Sequence, residues 1–435
     1  MDYKTIEKDY GTNEDFKLLM AEAHKRGIII ITDLVLNHTS SEHPWFVDAL
    51  TPGSAHENWY IWTTEMPTYR GPWGQQVWYK VGLRYYYALF WEKMPDLNYK
   101  NGAVTETMLD VTRYWLEDMG VDGFRLDAIR HLIEDGEVQA NTPATHEWIK
   151  GFNRFVHTVN PQALLIGEVW DDTSEVIQYI GGKLDVAFEF DLAQAFLDSI
   201  WSGDSTALVE TQKIILANYP KDQYAPFLTN HDQNRVMNAL RSNWDSAKVA
   251  ATLLLTNPGV PFIYYGEEIG MRGAKPDERI RTPMQWDASA TAGFTTGKPW
   301  EDLSGNLEKV NVAAQSADAG SLLNHYRALI RLRAAHPALR AGDMALVESD
   351  SLKVYAALRY GEGEKILVVA NLSEDVVSDY ALSLASGPLK GIKGAQMLLG
   401  EGSPSAPGIN AAGGFDAYAP LPTLLPKTAL VIALK

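Results

Sequence analysis

A barrel of the (β/α)₈ type is the fold class this sequence predicts, on three observations. Short apolar runs alternate with helical patterns, every run ends in polar residues, and no glycine-rich phosphate turn follows the first run. Strand–helix alternation argues for parallel βαβ units. An open doubly wound sheet would want the missing phosphate turn, whereas a barrel places its chemistry at the C-terminal ends of its strands.

Taken in order, the first element is a helix. Thr12 and Asp15 have the spacing of a capping box, and Phe16, Leu19, Met20 and Ala23 share one face up to Gly27. Residues 28–35 then read as a strand buried on both faces. Residues 39–100 leave the rhythm and carry Trp59, Tyr60, Trp62, Tyr69, Trp73, Trp78, Tyr79, Tyr85, Tyr86, Tyr87 and Trp91. A structureless loop of that length is rare, so the segment predicts an inserted subdomain. A helix with Val104, Met108, Val111, Trp115 and Met119 on one face stops at Gly120 and feeds a strand over 121–126.

Further strands are expected at 163–169, 186–190, 224–228 and 260–265, which makes six with the two before them. Their ends read Asn37-His38, Arg125 with Asp127, Glu168, Asp191, His231-Asp232 and Glu267-Glu268. After a helix over 322–335 and the His336-Pro337 stop, alternating strands at 354–360, 366–372 and 429–434 predict a C-terminal antiparallel β-sandwich.

Composition narrows the function. Of 435 residues, 38 are Lys or Arg and 55 are Asp or Glu, and the net charge of −17 opposes nucleic acid and anionic membranes as partners. A neutral substrate suits that balance. The absence of Cys excludes disulfides, thiolate catalysis and Cys-ligated metals. No apolar run approaches the ~20 residues that span a bilayer. The start, Met1-Asp2-Tyr3-Lys4, lacks the layout of a signal peptide. With 13 Trp and 20 Tyr, the chain has more rings than a core needs.

The candidate chemistry lies in the acids. Strand periodicity puts Arg125 and Asp127 on one face, where the guanidinium favours an ionised carboxylate fit for nucleophilic attack. Glu168 follows an apolar run and precedes Trp170, surroundings that suit a proton donor. Two carboxyls on adjacent strand ends can lie ~5 Å apart, the spacing of a retaining glycosidase. One Asp at a strand end is usually a helix cap or an ion-pair partner. Asp127, Glu168 and Asp232 with Arg125, His38 and His231 at a single rim are hard to explain that way.

In four motifs the chain resembles the α-amylase family of glycoside hydrolases (family 13). They are Asp33-Leu34-Val35-Leu36-Asn37-His38, Gly123-Phe124-Arg125-Leu126-Asp127-Ala128, Gly167-Glu168-Val169-Trp170 and Thr229-Asn230-His231-Asp232. The resemblance implies Asp127 as nucleophile, Glu168 as acid/base and Asp232 as transition-state stabiliser. It implies substrate contacts for Asp33, His38, Arg125, His231 and Trp170. Trp286 and the rings of 59–91 are weaker sugar-binding candidates. No cofactor is required for this chemistry. A structural calcium is the one metal the resemblance allows, with Asn37 as its ligand and a backbone carbonyl near His131 contributing.

The resemblance also implies organisation. The family's first two strands normally precede the stretch that begins here, so the expected fold is a (β/α)₈ TIM-type barrel lacking its first two strands. The expected segments are 1–38 partial barrel, 39–100 inserted subdomain after strand 3, 101–343 rest of the barrel and 344–435 sandwich. The chain is expected to be N-terminally truncated, which leaves its location open, an extracellular or periplasmic one being favoured over a cytoplasmic one.

Met94-Pro95-Asp96-Leu97-Asn98 resembles the subgroup intermediate between oligo-1,6-glucosidases and neopullulanases. Arg281-Thr282-Pro283-Met284-Gln285-Trp286 resembles the oligo-1,6-glucosidase and α-glucosidase branch. Ala128 after the nucleophile matches relatives that cut α-1,4 bonds. The expectation is hydrolysis of α-1,4 bonds in starch and maltooligosaccharides. The alternatives are an exo-acting α-glucosidase or oligo-1,6-glucosidase, a trehalose synthase-like transglycosylase, and a non-catalytic relative or inactive fragment.

Overall fold

Thr12 caps the first helix, Asn13–His24, through the reciprocal capping box its spacing to Asp15 predicts. Met20 and Ala23 of the expected face are buried, whereas Leu19 lies exposed. Gly27 ends the turn at φ +69°, a left-handed conformation that costs glycine little. This computed structural model describes residues 2–435, which divide into two compact units, 2–188 and 189–435. The division falls inside the segment expected as the rest of the barrel.

In the first unit the strands are β1 (Thr32–Leu34), β2 (Trp62–Thr63), β3 (Trp78–Val81), β4 (Arg84–Tyr87), β5 (Gly123–Leu126), β6 (Leu164–Gly167) and β7 (Val186–Phe188). β1, β5, β6 and β7 lie side by side and parallel. Between β1 and β5 the inserted segment forms its own small antiparallel sheet, ordered β2-β4-β3. Tyr60, Trp78, Tyr86 and Tyr87 are buried there, so packing accounts for these rings. Trp73 and Trp91 stay exposed.

One expectation fails at β1. Ile28 and Ile29 are 54% and 63% exposed, and only Thr32–Leu34 form strand. Among the described residues β1 pairs with β5 alone, so its other edge leaves the apolar run uncovered.

The second unit carries β8 (Tyr224–Ala225) and then no strand at 260–265. That segment nevertheless runs beside β8: Val260 donates its N–H to the Tyr224 carbonyl at 3.0 Å and Phe262 to the Pro226 carbonyl at 2.9 Å. Pro226 and Pro261 have no N–H to extend the ladder, which explains the lost strand. The helix Leu322–Ala335 lies where its periodicity predicts.

Beyond it come β9 (Asp343–Ser349), β10 (Val354–Gly361), β11 (Glu364–Asn371), β12 (Leu382–Leu384), β13 (Ala395–Leu399), β14 (Phe415–Tyr418) and β15 (Thr428–Leu434). They are ordered β13-β15-β11-β10-β9-β12-β14 and antiparallel throughout. Leu358, Leu367, Leu382, Phe415 and Ile432, from five of these strands, share one apolar core, as a sandwich requires.

Gly123 is among the glycines whose place in the fold leaves no room for a side chain. A Cβ on Gly123, whose φ is +151°, would stand 2.1 Å from the Leu164 carbonyl oxygen across the β5–β6 pair. Backbone cannot yield as a flexible side chain does. Gly123→Ala is expected to cost about 1–3 kcal/mol, read as a lower urea midpoint than that of a control such as Gly102→Ala, where a Cβ meets open space.

Candidate active site

The site is organised on the strand ends by register. Asp33 of β1 stands opposite Arg125 of β5, and Arg125 stands opposite Ile166 of β6. Phe124 and Leu126 are fully buried, so alternation turns Arg125 and Asp127 to the other face. The ladder continues past the strands: Asp127 donates its N–H to the Leu34 carbonyl at 3.4 Å and Glu168 to the Leu126 carbonyl at 3.0 Å. Asp127 and Glu168 are thereby held on neighbouring chain segments.

A single guanidinium gathers the acids. Arg125 Nη1 touches Asp127 and lies 2.9 Å from Asp33 Oδ1, while Nη2 contacts Glu168 Oε2. The Asp33 side chain is largely exposed, whereas Arg125 and Glu168 are well enclosed. The apolar setting read for Glu168 is thus incomplete, because its carboxylate also has a cation against it. Immediately after Asp127, Ala128 adopts φ +48°, turning the chain into the short helix Ile129–His131.

His38 is buried beside this group, its ring edge-on to Phe90 at 5.6 Å. Burial lowers its pKa, and the Asp127 charge opposes that shift. The segment 94–98 braces the same motif. Thr39 N–H bonds the Pro95 carbonyl at 3.1 Å, Leu97 N–H bonds the Asn37 carbonyl at 2.9 Å, and Asn37 Nδ2 donates to Asp96 Oδ2 at 3.0 Å.

Calcium, the one metal expected here, takes about six to eight oxygen ligands. Asn37 Oδ1 is buried with no partner, but both Asp96 oxygens are engaged, one by Asn37 and the other by Leu89 N–H at 3.1 Å. Among the described residues no group of three or more His, Asp or Glu side chains could hold a metal. Asn37 and Asp96 are joined by a hydrogen bond, each Asp96 oxygen accepts one, and Asn37 Oδ1 alone is left without a partner. They form a hydrogen-bonded brace.

Around Trp170 a network went unread in the sequence. Arg130 bonds the Trp170 carbonyl and pairs with Asp171 at 2.7 Å. Asn141 Nδ2 donates to the same Asp171 oxygen at 2.7 Å, and Tyr179 donates to Asn141 Oδ1 at 2.8 Å. Trp170 itself is half exposed. The signal was Asp171 beside the third motif.

In the second unit, Asp232 takes its own partners. Arg281 Nη2 lies 2.6 Å from Asp232 Oδ1, Arg281 Nε donates to the His231 carbonyl at 2.9 Å, and His231 Nε2 stands 3.2 Å from Asp232 Oδ2. Arg281 was legible as the first residue of the motif that ends in Trp286, a ring that is half exposed. Glu267, expected at a strand end, sits instead in the turn Glu267–Ile269 and accepts the Tyr326 hydroxyl at 3.0 Å. Burial pushes its carboxyl up to about 8.

Acids tied to one arginine at the ends of parallel strands mark an enzyme, and the comparisons give its class. The family described as "Alpha amylase, catalytic domain" matches residues 1–342. "Alpha-amylase 3" of Dictyoglomus thermophilum is 38% identical over 379 residues, covering 86% of this chain and 73% of that protein. An oligo-1,6-glucosidase of Heyndrickxia coagulans is 32% identical, covering 87% and 82%.

Among solved structures, an α-amylase from H. orenii matches with a TM-score of 0.83 at 35% identity, covering 100% of this chain and 86% of the other. The trehalulose synthase MutB from Pseudomonas mesoacidophila MX-45 gives 0.83 at 28% identity, covering 100% and 88%. The chain belongs to the α-amylase family of glycoside hydrolases and has that family's TIM-barrel fold.

The buried Glu267 sets a pH dependence. Between its ordinary value of 4.5 and about 8, the unfolded chain releases this proton while the folded chain keeps it. Stability from this group is full below that window and falls as pH rises through it, by at most about 1.4 kcal/mol per pH unit. Glu267→Gln is expected to gain on the wild type as unfolding is measured first near pH 5 and then near pH 8. A difference that stays constant would contradict it.

Proposed function

We propose that this chain is a retaining α-glucan hydrolase that cleaves α-1,4 bonds in starch and maltooligosaccharides. The observation that carries the reading is Arg125, with Asp127 on one nitrogen and Glu168 on the other. Two carboxyls held by one planar guanidinium favour the ~5 Å spacing of double displacement over the wider gap of an inverting enzyme. Asp127 attacks the anomeric carbon as the glycosidic bond breaks, and Glu168 gives its proton to the leaving oxygen. Glu168 then takes a proton from water, whose oxygen displaces Asp127 from the anomeric carbon.

Arg125 holds both acids in register, and Asp33 and His38 are assigned to sugar hydroxyls. Asp232 and His231 receive their roles from the fourth motif alone: Asp232 binds the ring hydroxyls more strongly as the ring flattens. The α-1,4 preference is supported by Ala128 and by the 38% and 35% identities to two α-amylases. The 32% identity to an oligo-1,6-glucosidase and the motif opening at Arg281 keep α-1,6 cleavage as the second reading.

Product analysis tests the bond. Maltose and longer oligomers from starch are expected, glucose alone would indicate the exo-acting glucosidase, and trehalose from maltose the transglycosylase. Glu168→Gln is expected to lower turnover at least about 10²-fold while leaving maltooligosaccharide binding within about twofold by calorimetry. Retained turnover would refute the assignment.

No metal is required for this chemistry, and the hydrogen bond from Asn37 to Asp96 supports a bracing role for Asn37 in place of a calcium ligand. Chelation with EDTA is expected to leave both thermal midpoint and rate unchanged. A midpoint restored only by calcium would overturn this part.

A further inference from the structure

The apolar run at 260–265 ends in Tyr264 and Tyr265, whose hydroxyls take no part in the reaction as written. Both donate to main-chain carbonyls, and the two acceptors lie on either side of Arg281. Tyr264 donates to the Ile280 carbonyl at 3.0 Å and Tyr265 to the Thr282 carbonyl at 2.7 Å. Arg281 is the residue whose Nη2 meets Asp232 at 2.6 Å. The two rings are held in turn by Arg235. Its Cζ lies 4.6 Å from the Tyr264 ring centroid and 4.7 Å from that of Tyr265, and its Nη1 donates to the Tyr265 carbonyl at 2.7 Å. Arg235 is buried, which strengthens the attraction between its cation and the ring faces, and its N–H bonds the Gly273 carbonyl at 2.9 Å.

The surroundings of Arg281 show why its backbone has to be held. Its side chain is 38% exposed, and a solvated ion pair fixes geometry weakly. The same Nη2 also lies 3.0 Å from Asp277 Oδ2, so a small turn of the backbone would move the guanidinium from Asp232 toward Asp277. Burial of Ile280 and Thr282 keeps the segment in place without setting the direction of its peptide planes. A hydrogen bond to each carbonyl sets that direction. The contacts also close on themselves. Arg235 stands three residues after Asp232, so the turn that carries the acid also carries the anchor of the rings that hold its partner.

Resting on the role proposed above for Asp232, we infer that Tyr264 and Tyr265 are positioning residues for the reaction. Their hydroxyls orient the backbone at Arg281, and Arg281 in turn aims the Asp232 carboxylate at the ring hydroxyls. Asp232 binds the flattened ring more strongly than the resting sugar, so loss of this clamp falls on kcat and not on KM.

Replacing both tyrosines by phenylalanine removes the hydroxyls and keeps the rings against Arg235. Tyr264→Phe/Tyr265→Phe is expected to lower kcat for maltotetraose about tenfold while KM stays within about twofold. In an Arg281→Ala background the same pair of substitutions is expected to change kcat by less than about twofold, because residues that act through one group are not additive. An unchanged kcat in the doubly substituted enzyme would overturn the clamp and leave the hydrolase reading standing. A loss carried by KM alone would do the same, and so would an equal fall in both backgrounds. A wild type that cleaves neither maltotetraose nor isomaltose would remove the hydrolase reading and this inference together.

Discussion

The geometry of the first unit's site depends on one guanidinium. Arg125 is enclosed, and three carboxylates of separate origin, Asp33, Asp127 and Glu168, contact it. Acids brought this close would repel one another without a cation between them. A buried cation without acids would be equally costly. The register of β1, β5 and β6 makes the arrangement reachable, because it places the three acids within one side-chain length of the same residue. Arginine suits the position better than lysine, since its planar fork can engage different carboxylates with different nitrogens.

A second constraint is local to the turn after β5. Ala128 sits at φ +48°, a conformation that disfavours any side chain, and Leu126 before it is still in regular strand. The chain must therefore swing out of the sheet within two residues of Arg125. That swing leaves Asp127 at the rim and starts the helix that carries Arg130 and His131, two walls of the cavity beside Glu168. Strain of this kind persists where its surroundings over-determine it. Here the Leu34 carbonyl on one side and the Arg125 contact on the other hold the turn.

Much of this was legible in the sequence, for identifiable reasons. Periodicity of two placed Arg125 and Asp127 on one face, and the helix over 322–335 followed from its apolar spacing. Pattern reading failed where partners decide the outcome. The run at 28–31 has the composition of a buried strand, yet burial needs a neighbour on each side and β1 has one. The run at 260–265 is apolar, yet prolines deny it the ladder that defines a strand. Long-range pairings such as Asn37 with Asp96 and Arg130 with Asp171 join residues of different segments, and no local spacing encodes them.

The aromatic surplus shows the same limit from the other direction. Composition cannot tell a ring that packs from a ring that waits for a ligand, because both are apolar and both cluster in 59–91. Trp78 and Tyr87 pack together across β3 and β4, Tyr60 packs on Phe46, and all three disappear into the subdomain. Trp73 lies on a turn outside that sheet, with Gly74 beside it at φ +78°, so no strand partner can cover its outer face. An uncovered indole in water is unfavourable by its apolar area, and the inner contacts of the ring with Phe90 and His131 cover only part of it. Trp73 lines the same cavity as Glu168, so its place on the turn, and not its apolar character, decides its exposure.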